Sequence, residues 1–324
     1  MPELTYLEAI RDGLLEAMHR DPRVFVIGED IATYGGAFGI TRGFLEEFGP
    51  ERVIDAPLAE AANVGAGIGA AVMGMRPVVE LQFADFISDA FTQVVNMAAK
   101  FHWRTGCALP LVLRMPYGGD VKGGPFHSGC MEAWFAHTPG LKVVAPAFPE
   151  DAKGLLLAAI RDPNPVLFFE HKHLYRYQRA EVPAGEYLTP IGRARIVREG
   201  GTLSLFSYGW MLHKCLAAVE TAAGEGISAE LIDLRSLAPL DRAAILTSAR
   251  KTGKALVVHE ANRTGGVGAE IAALIAEEAF DSLDGPVMRL ASEDTPVPHS
   301  PVLEAAFQPT IAEIVEAIRS LAAY

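Results

Sequence analysis

Cysteine is scarce in this chain. Cys107, Cys130 and Cys215 stand alone at irregular spacing, with no CxxC pair, which fits a reducing cytoplasmic compartment. Basic clusters are missing too. Against 28 Lys and Arg there are 40 Asp and Glu, a net charge of −12, so a nucleic-acid partner is not expected. No apolar run can span a bilayer: the longest uncharged stretch, between Glu60 and Arg76, is glycine-rich and short of the roughly 20 residues required. Nor does the start read as a secretory leader, because acidic and basic residues alternate through its first helix. GEDIATYGGAFG follows the strand-like VFVIG but lacks the G-x-G-x-x-G spacing, against a self-sufficient NAD- or flavin-binding protein. YGGDVKGGPFHSG, from Tyr117 to Gly129, has no GxxxxGK[ST], so it is not a phosphate-cradling loop.

What remains is an apolar, two-block α/β chain. At 324 residues, with domains of about 100–200 residues, two domains are expected. The 50% hydrophobic content points to buried subunit interfaces as well as a core. In the first block VFVIG, RVIDA, VVEL, LPLVLRM, KVVAP and PVLFFE read as strands. Helices fall at Tyr6–Arg20, Glu60–Met75, Asp85–Arg104 and Pro149–Arg161. The second block repeats the theme with TLSLFSYG, AELIDL, KALVVHE and VMRLA. Its helices fall near Trp210–Ala223, Arg242–Thr252, Gly268–Asp281 and Pro309–Leu321. Continuous apolar strands between helices imply two doubly wound, mainly parallel sheets. The expected division is 1–180, a linker over 181–195 rich in Pro and Gly, and 196–324.

The segment Arg52 to Phe86, RVIDAPLAEAANVGAGIGAAVMGMRPVVELQFADF, carries the most chemistry. A short strand ends at Asp55, Pro57 turns the chain, and Glu60 opens a helix of small residues. Each interior glycine costs that helix about 1 kcal/mol relative to alanine, but small residues permit close approach to a neighbouring backbone or flat ligand. Gln82, Phe83, Asp85 and Phe86 then follow the next strand, at the carboxyl end where open α/β sheets bind ligands. An acid, an amide and an aromatic ring on one sheet edge suit a flat, hydrogen-bonding heterocycle. Alone, Glu60 could equally be a carboxylate capping a helix N-terminus.

As a whole, this string closely resembles the β subunit of thiamine-diphosphate-dependent 2-oxoacid dehydrogenases, built on transketolase-like pyrimidine-binding and C-terminal domains. The resemblance covers essentially the full chain. It implies that Glu60, in the D-x-P-x-x-E turn, protonates the aminopyrimidine ring. Leu58, Gln82 and Phe86 would be the neighbouring cofactor-binding positions. Such a carboxyl is needed because the cofactor's own amine becomes a base only when its ring shifts to the imino tautomer. The family's G-x-x-H-S-Q falls on His127, which would orient the substrate carboxylate and assist acyl transfer to a lipoyl group. Gly129, Cys130 and Met131 replace the family's usual Gln-Ser-Pro at this point. A metal or nucleophile pair of Cys130 with His127 lacks a third group close in sequence. His171 and His173 are expected to be polar strand-end residues rather than ligands. The family's structural potassium would be held by main-chain carbonyls of Leu111, Ala159, Asp162 and Asn164.

No GDG followed by a paired Asn occurs, so the diphosphate and its Mg²⁺ are expected from a partner α subunit in an α2β2 assembly. The remaining partners implied are a small 2-oxoacid and the subunit-binding and lipoyl domains of a dihydrolipoyl acyltransferase. Glu293, Asp294 and Tyr324 are candidates for an acidic docking patch. Branched-chain 2-oxoacids and pyruvate are the expected substrates. An acetoin dehydrogenase β subunit and a non-catalytic α/β scaffold are the alternatives, the latter disfavoured because Glu60, Gln82, Phe86 and His127 occur together.

Overall fold

A computed structural model describes all residues from Met1 to Tyr324. The chain forms two compact units, Met1–Tyr117 with Trp134–Ile191, and Gly118–Ala133 with Gly192–Tyr324. In the first, the strands are β1 (Glu3–Thr5), β2 (Val24–Gly28), β3 (Val53–Asp55), β4 (Arg76–Glu80), β5 (Val112–Tyr117), β6 (Lys142–Val144), β7 (Val166–His171) and β8 (Arg179–Glu181). Six of them make a parallel sheet in the order β6-β7-β5-β4-β2-β3, while β1 and β8 pair antiparallel beside it. Every residue of β2, β5 and β7 is buried, as strands covered on both faces require.

The helices follow local rules. Thr5 caps Tyr6–Arg20 in a capping box with Glu8, and Pro149 opens Pro149–Arg161 at a position where its missing N–H is not needed. Those two helices pack together around Lys153, wholly buried and paired with Asp12 at 2.7 Å and Glu16 at 3.2 Å. The helix Glu60–Val72 buries Glu60, Asn63, Val64, Gly67 and Ala71, one stripe at helical spacing. At Gly67 a Cβ would lie 2.7 Å from a Val79 methyl carbon, so close approach to β4 requires glycine there. Gly65 and Gly69 meet nothing within 4 Å, and the face they share with exposed Ala62, Ala66 and Val72 is uncovered.

The expected single helix over Asp85–Arg104 is instead three pieces: a 3₁₀ stretch Ala84–Ala90, a π-turn Thr92–Ala98, and an α-helix Ala99–Thr105. The wider π ladder is seen at Ala99, whose N–H bonds the Val94 carbonyl five residues back. This register shift keeps Ile87, Ala90, Val94, Ala98 and Ala99 all buried.

The second unit contains β9 (Arg195–Arg198), β10 (Leu203–Ser207), β11 (Ala229–Asp233), the short β12 (Ser236–Ala238), β13 (Ala255–Asn262) and β14 (Val287–Ser292). Its five-stranded sheet runs β14-β13-β10-β11-β9, parallel except for the edge strand β9. β9 begins inside the segment read as linker, and β8 begins just before it. An unforeseen helix, Pro301–Phe307, precedes the terminal helix Ile311–Ala322, which Thr310 and Glu313 cap reciprocally. The larger departure is Gly118–Ala133, which lies within the first block of the sequence and packs with the second unit.

Substituting Gly67→Val is expected to cost about 1–3 kcal/mol through overpacking against Val79. Chemical denaturation checks this, and an unchanged midpoint would mean that the helix can lift from the sheet without loss.

Candidate active site

The first unit gathers its candidates at the carboxyl end of the parallel sheet. Gly28, the last residue of β2, is in register with Asp55 on one side and Glu80 on the other. The chain segments that leave these three positions therefore emerge side by side. Asp55 fixes the first of them, accepting from the Ala32 N–H at 2.6 Å and the Thr33 N–H at 3.3 Å. After the turn, Asn63 donates to the Pro57 carbonyl at 3.2 Å, and Glu60 takes the first helical position.

Glu60 is buried in the first turn of its helix, where a carboxylate is also favoured by the helix dipole. Beside it lies Glu29, a buried carboxyl that reading by sequence missed. Burial raises the pKa of Glu29, and the charges of Glu60 and Asp30 raise it further, against the Ala59 N–H that stabilises its anion. Asp30 in turn accepts from the Gln82 amide at 3.3 Å. The Glu29–Asp30 pair thus links the Glu60 turn to the Gln82 segment. Phe86 packs edge-on against Phe83, with ring centroids 5.9 Å apart, and Phe38 meets Phe83 at 5.8 Å. Leu58 is 80% exposed on the same turn. The glycines and two acids of GEDIATYGG gave a signal for Glu29 only in hindsight, because they fit no familiar fingerprint.

Behind this edge sits a buried ion network, also unforeseen. Arg114 of β5 is held bidentately by Glu170 of β7 at 2.6 and 2.8 Å, and donates to Glu80 of β4 at 2.6 Å. Tyr175 donates to Glu170 at 2.7 Å. All four side chains are nearly or wholly inaccessible. Burial outweighs the attraction of Arg114 and holds Glu80 above the usual carboxylate range. Burial also lowers the Arg114 pKa, but the two carboxylates together more than offset this and raise it. The potassium candidates lie elsewhere in this unit. Leu111 and Ala159 carbonyls accept backbone N–H groups, Asp162 pairs with Lys142, and the buried Asn164 side-chain oxygen has no donor.

His127 lies in the second unit, half-buried at the end of a 3₁₀ turn, Gly124–Phe126. The loop before it is bound to that unit by carboxylates. Glu260 accepts the Gly119 N–H at 2.5 Å and Glu304 the Lys122 N–H at 3.2 Å. Asp120 accepts from Trp210 at 2.6 Å and Gln308 at 2.7 Å. Asp120 and Lys122 both have positive φ, 59° and 61°, a conformation costing non-glycine residues about 1–2 kcal/mol each. After His127, Tyr208 donates to buried Glu132 at 2.7 Å. Burial pushes Glu132 up to about 7, against the Tyr208 hydrogen bond and with help from Glu260. Next to Tyr208, burial lowers His259 to about 4. His173 stacks on Tyr177, and His171 lies edge-on to Tyr117; no cluster of three metal-ligating side chains exists. Glu293 and Asp294 are exposed, but Asp294 also accepts both Thr264 donors at 2.9 and 2.6 Å. Tyr324 is 69% exposed.

Glu132 binds its proton more tightly folded than unfolded, so its contribution to stability falls as pH rises from about 4.5 through about 7. His259 has the opposite sign: its depressed pKa makes stability rise with pH between about 4 and 6.5. Glu132→Gln removes only the falling part. Denaturation midpoints are expected to favour the variant more at pH 8 than at pH 5, and an equal gap at both values would contradict a protonated Glu132.

Residues 2–178 match the family described as "Transketolase, pyrimidine binding domain", and residues 192–314 match "Transketolase, C-terminal domain". The 2-oxoisovalerate dehydrogenase subunit beta of Bacillus subtilis is 48% identical, over 100% of both chains. A pyruvate dehydrogenase E1 component subunit beta of Rhizobium meliloti is 42% identical over 99% of this chain and 70% of its own. An acetoin:2,6-dichlorophenolindophenol oxidoreductase subunit beta of Cupriavidus necator is 43% identical over 96% and 95%. Among solved structures, a split-gene transketolase described as an inactive β4 tetramer superposes with a TM-score of 0.81 at 24% identity, covering 99% of this chain and 98% of that one. That likeness shows the two-domain α/β fold, and the full-length sequence identities go further: the chain belongs to the β subunits of 2-oxoacid dehydrogenase E1 components, on transketolase pyrimidine-binding and C-terminal domains.

Proposed function

We propose that this chain is the β half of a 2-oxoacid dehydrogenase decarboxylating component. It would act with thiamine diphosphate on a branched-chain 2-oxoacid or pyruvate and pass the acyl group to the lipoyl group of a dihydrolipoyl acyltransferase. The observation that carries this reading is the edge where buried Glu60 opens its helix, beside Glu29 and the Gln82–Phe86 segment.

That donor set fits the aminopyrimidine half of the cofactor: one buried carboxyl, one amide and one aromatic ring. Glu60 would hold and return the proton at the ring nitrogen, as a general acid–base group must. Gln82 would take the ring's other polar edge, Phe86 its face, and Leu58 the bend between its two rings. When bound, thiamine diphosphate supplies the carbon nucleophile that makes loss of the substrate carboxylate feasible. His127 would orient that carboxylate and assist acyl transfer.

The diphosphate and its Mg²⁺ fall to a GDG-bearing α chain in an α2β2 assembly. The exposed apolar side chains Leu58, Val72, Met73, Phe91, Met97 and Trp103 of the first unit support a covered surface there. The main-chain carbonyls of Leu111, Ala159, Asp162 and Asn164 would hold potassium, as the family resemblance implies. Exposed Glu293, Asp294 and Tyr324 would receive the subunit-binding domain of the acyltransferase. Three free cysteines accord with a cytoplasmic setting, and no helix is long and apolar enough to cross a membrane. Acetoin is the second reading, since relatives named for acetoin are as similar as those named for pyruvate.

Copurified with its partner and assayed with an artificial electron acceptor, Glu60→Gln is expected to lower turnover by about 10²–10⁴-fold with assembly intact. Near-normal decarboxylation would remove Glu60 from the mechanism. Comparing 3-methyl-2-oxobutanoate, pyruvate and acetoin in the same assay decides the substrate. Calorimetry on the isolated chain should detect no tight binding of thiamine diphosphate, and sub-micromolar affinity without the partner would refute the split site.

A further inference from the structure

We propose that Glu260 and Glu304 are positioning residues for the His127 loop, receiving its backbone N–H groups so that His127 is fixed for acyl transfer. The inference rests on the role given to His127 above. It is carried by a grip on three residues of the loop, Gly119, Asp120 and Lys122, from three elements of the second unit. Glu260, near the end of β13, accepts from Gly119. Trp210 and Lys214, on the helix Gly209–Ala223, donate to Asp120, the lysine at 3.2 Å. Glu304, buried on the helix Pro301–Phe307, accepts from Lys122, and Gln308 just beyond that helix donates to Asp120.

Several details show a built receptor rather than casual contact. Lys214 donates to the Gln308 amide oxygen at 3.0 Å, which turns the amide nitrogen toward Asp120. A Cβ on Gly119 would lie 3.1 Å from one Glu304 oxygen and 3.3 Å from one Glu260 oxygen. A side chain there would press on both carboxylates, each of which would have to give by a few tenths of an ångström. The loop they grip has positive φ at Gly118, Asp120, Lys122 and Gly124, so it would relax without its acceptors. His127 follows Gly124 by three residues, and its N–H bonds the Gly124 carbonyl at 3.3 Å. Movement of the gripped segment therefore reaches the imidazole through one short turn.

The test uses Glu260→Ala and Glu304→Ala, singly and together, in enzyme copurified with its partner chain and supplied with thiamine diphosphate and Mg²⁺. Hydrogen–deuterium exchange reads the order of residues 118–128. Acylation of a lipoyl domain and decarboxylation with an artificial acceptor read the two half-reactions separately. Exchange over the loop is expected to rise in the variants. Acylation should fall by about tenfold or more, as for a misplaced reacting group, and further than decarboxylation, in which His127 only orients the carboxylate. Glu304→Gln, which keeps an acceptor oxygen, should restore most of the acylation rate. Unchanged exchange in the double variant overturns the inference. So does a parallel fall of both half-reactions with the melting temperature, which marks a merely structural role. His127→Ala, run alongside, separates the two claims. If it impairs acylation and the Glu variants do not, only the positioning role fails; if it spares acylation, the role of His127 fails and this inference with it.

Discussion

A guanidinium locked between two carboxylates sets the conditions for the first unit. Arg114 joins Glu80 and Glu170, and these three residues sit on three adjacent strands near the end of the sheet where the candidate side chains collect. Three buried charges cost solvation that only good geometry offsets, and removing one partner would leave the others uncompensated at several kcal/mol. An apolar replacement of similar volume could pack as well. What it could not do is fix the relative height of β4, β5 and β7. The segments leaving β2, β3 and β4 take their positions from that sheet, so the network supports Glu60 and Gln82 without touching either.

The two halves of the candidate machinery are supported differently. Around Glu60 the supports are other acids: Glu29 by repulsion and Asp30 through Gln82. Around His127 they are carboxylates accepting main-chain N–H groups, on a loop whose own residues disfavour the conformation they adopt. The first arrangement concentrates negative charge where a protonated heterocycle would be favoured. The second holds irregular backbone still, which the loop's glycines could not do unaided.

Much of the fold was legible in the sequence because its signals are local. The apolar strand runs each report on a few neighbouring residues, and their elements fall close to where they were expected. Glu60, Gln82 and Phe86 were legible as a group because one continuous segment carries them. The π-turn at Thr92–Ala98 was not, since its residues read as ordinary helix and only tertiary burial selects the wider ladder. Glu29, Arg114 and Glu170 were also invisible: each is an unremarkable charge in or just after its strand, and its meaning arises from what neighbouring strands bring beside it. The same holds for Glu260 and Glu304, more than 130 residues from the loop amides they receive.

Because Gly118–Ala133 packs with the second unit, the chain passes between the units three times, at Tyr117/Gly118, Ala133/Trp134 and Ile191/Gly192. The familiar picture of two modules on a string fails for such a path. A fragment beginning at Gly192 lacks the peptide whose amides Glu260 and Glu304 receive, leaving two buried carboxylates without those donors. A fragment ending at Ile191 carries that peptide with nothing to hold it. Shuffling these domains between relatives therefore exchanges the His127 loop separately from its receptor unless the short insert travels with the C-terminal half. Gene fusion or fission at the linker parts Gly118–Ala133 from the unit with which it packs.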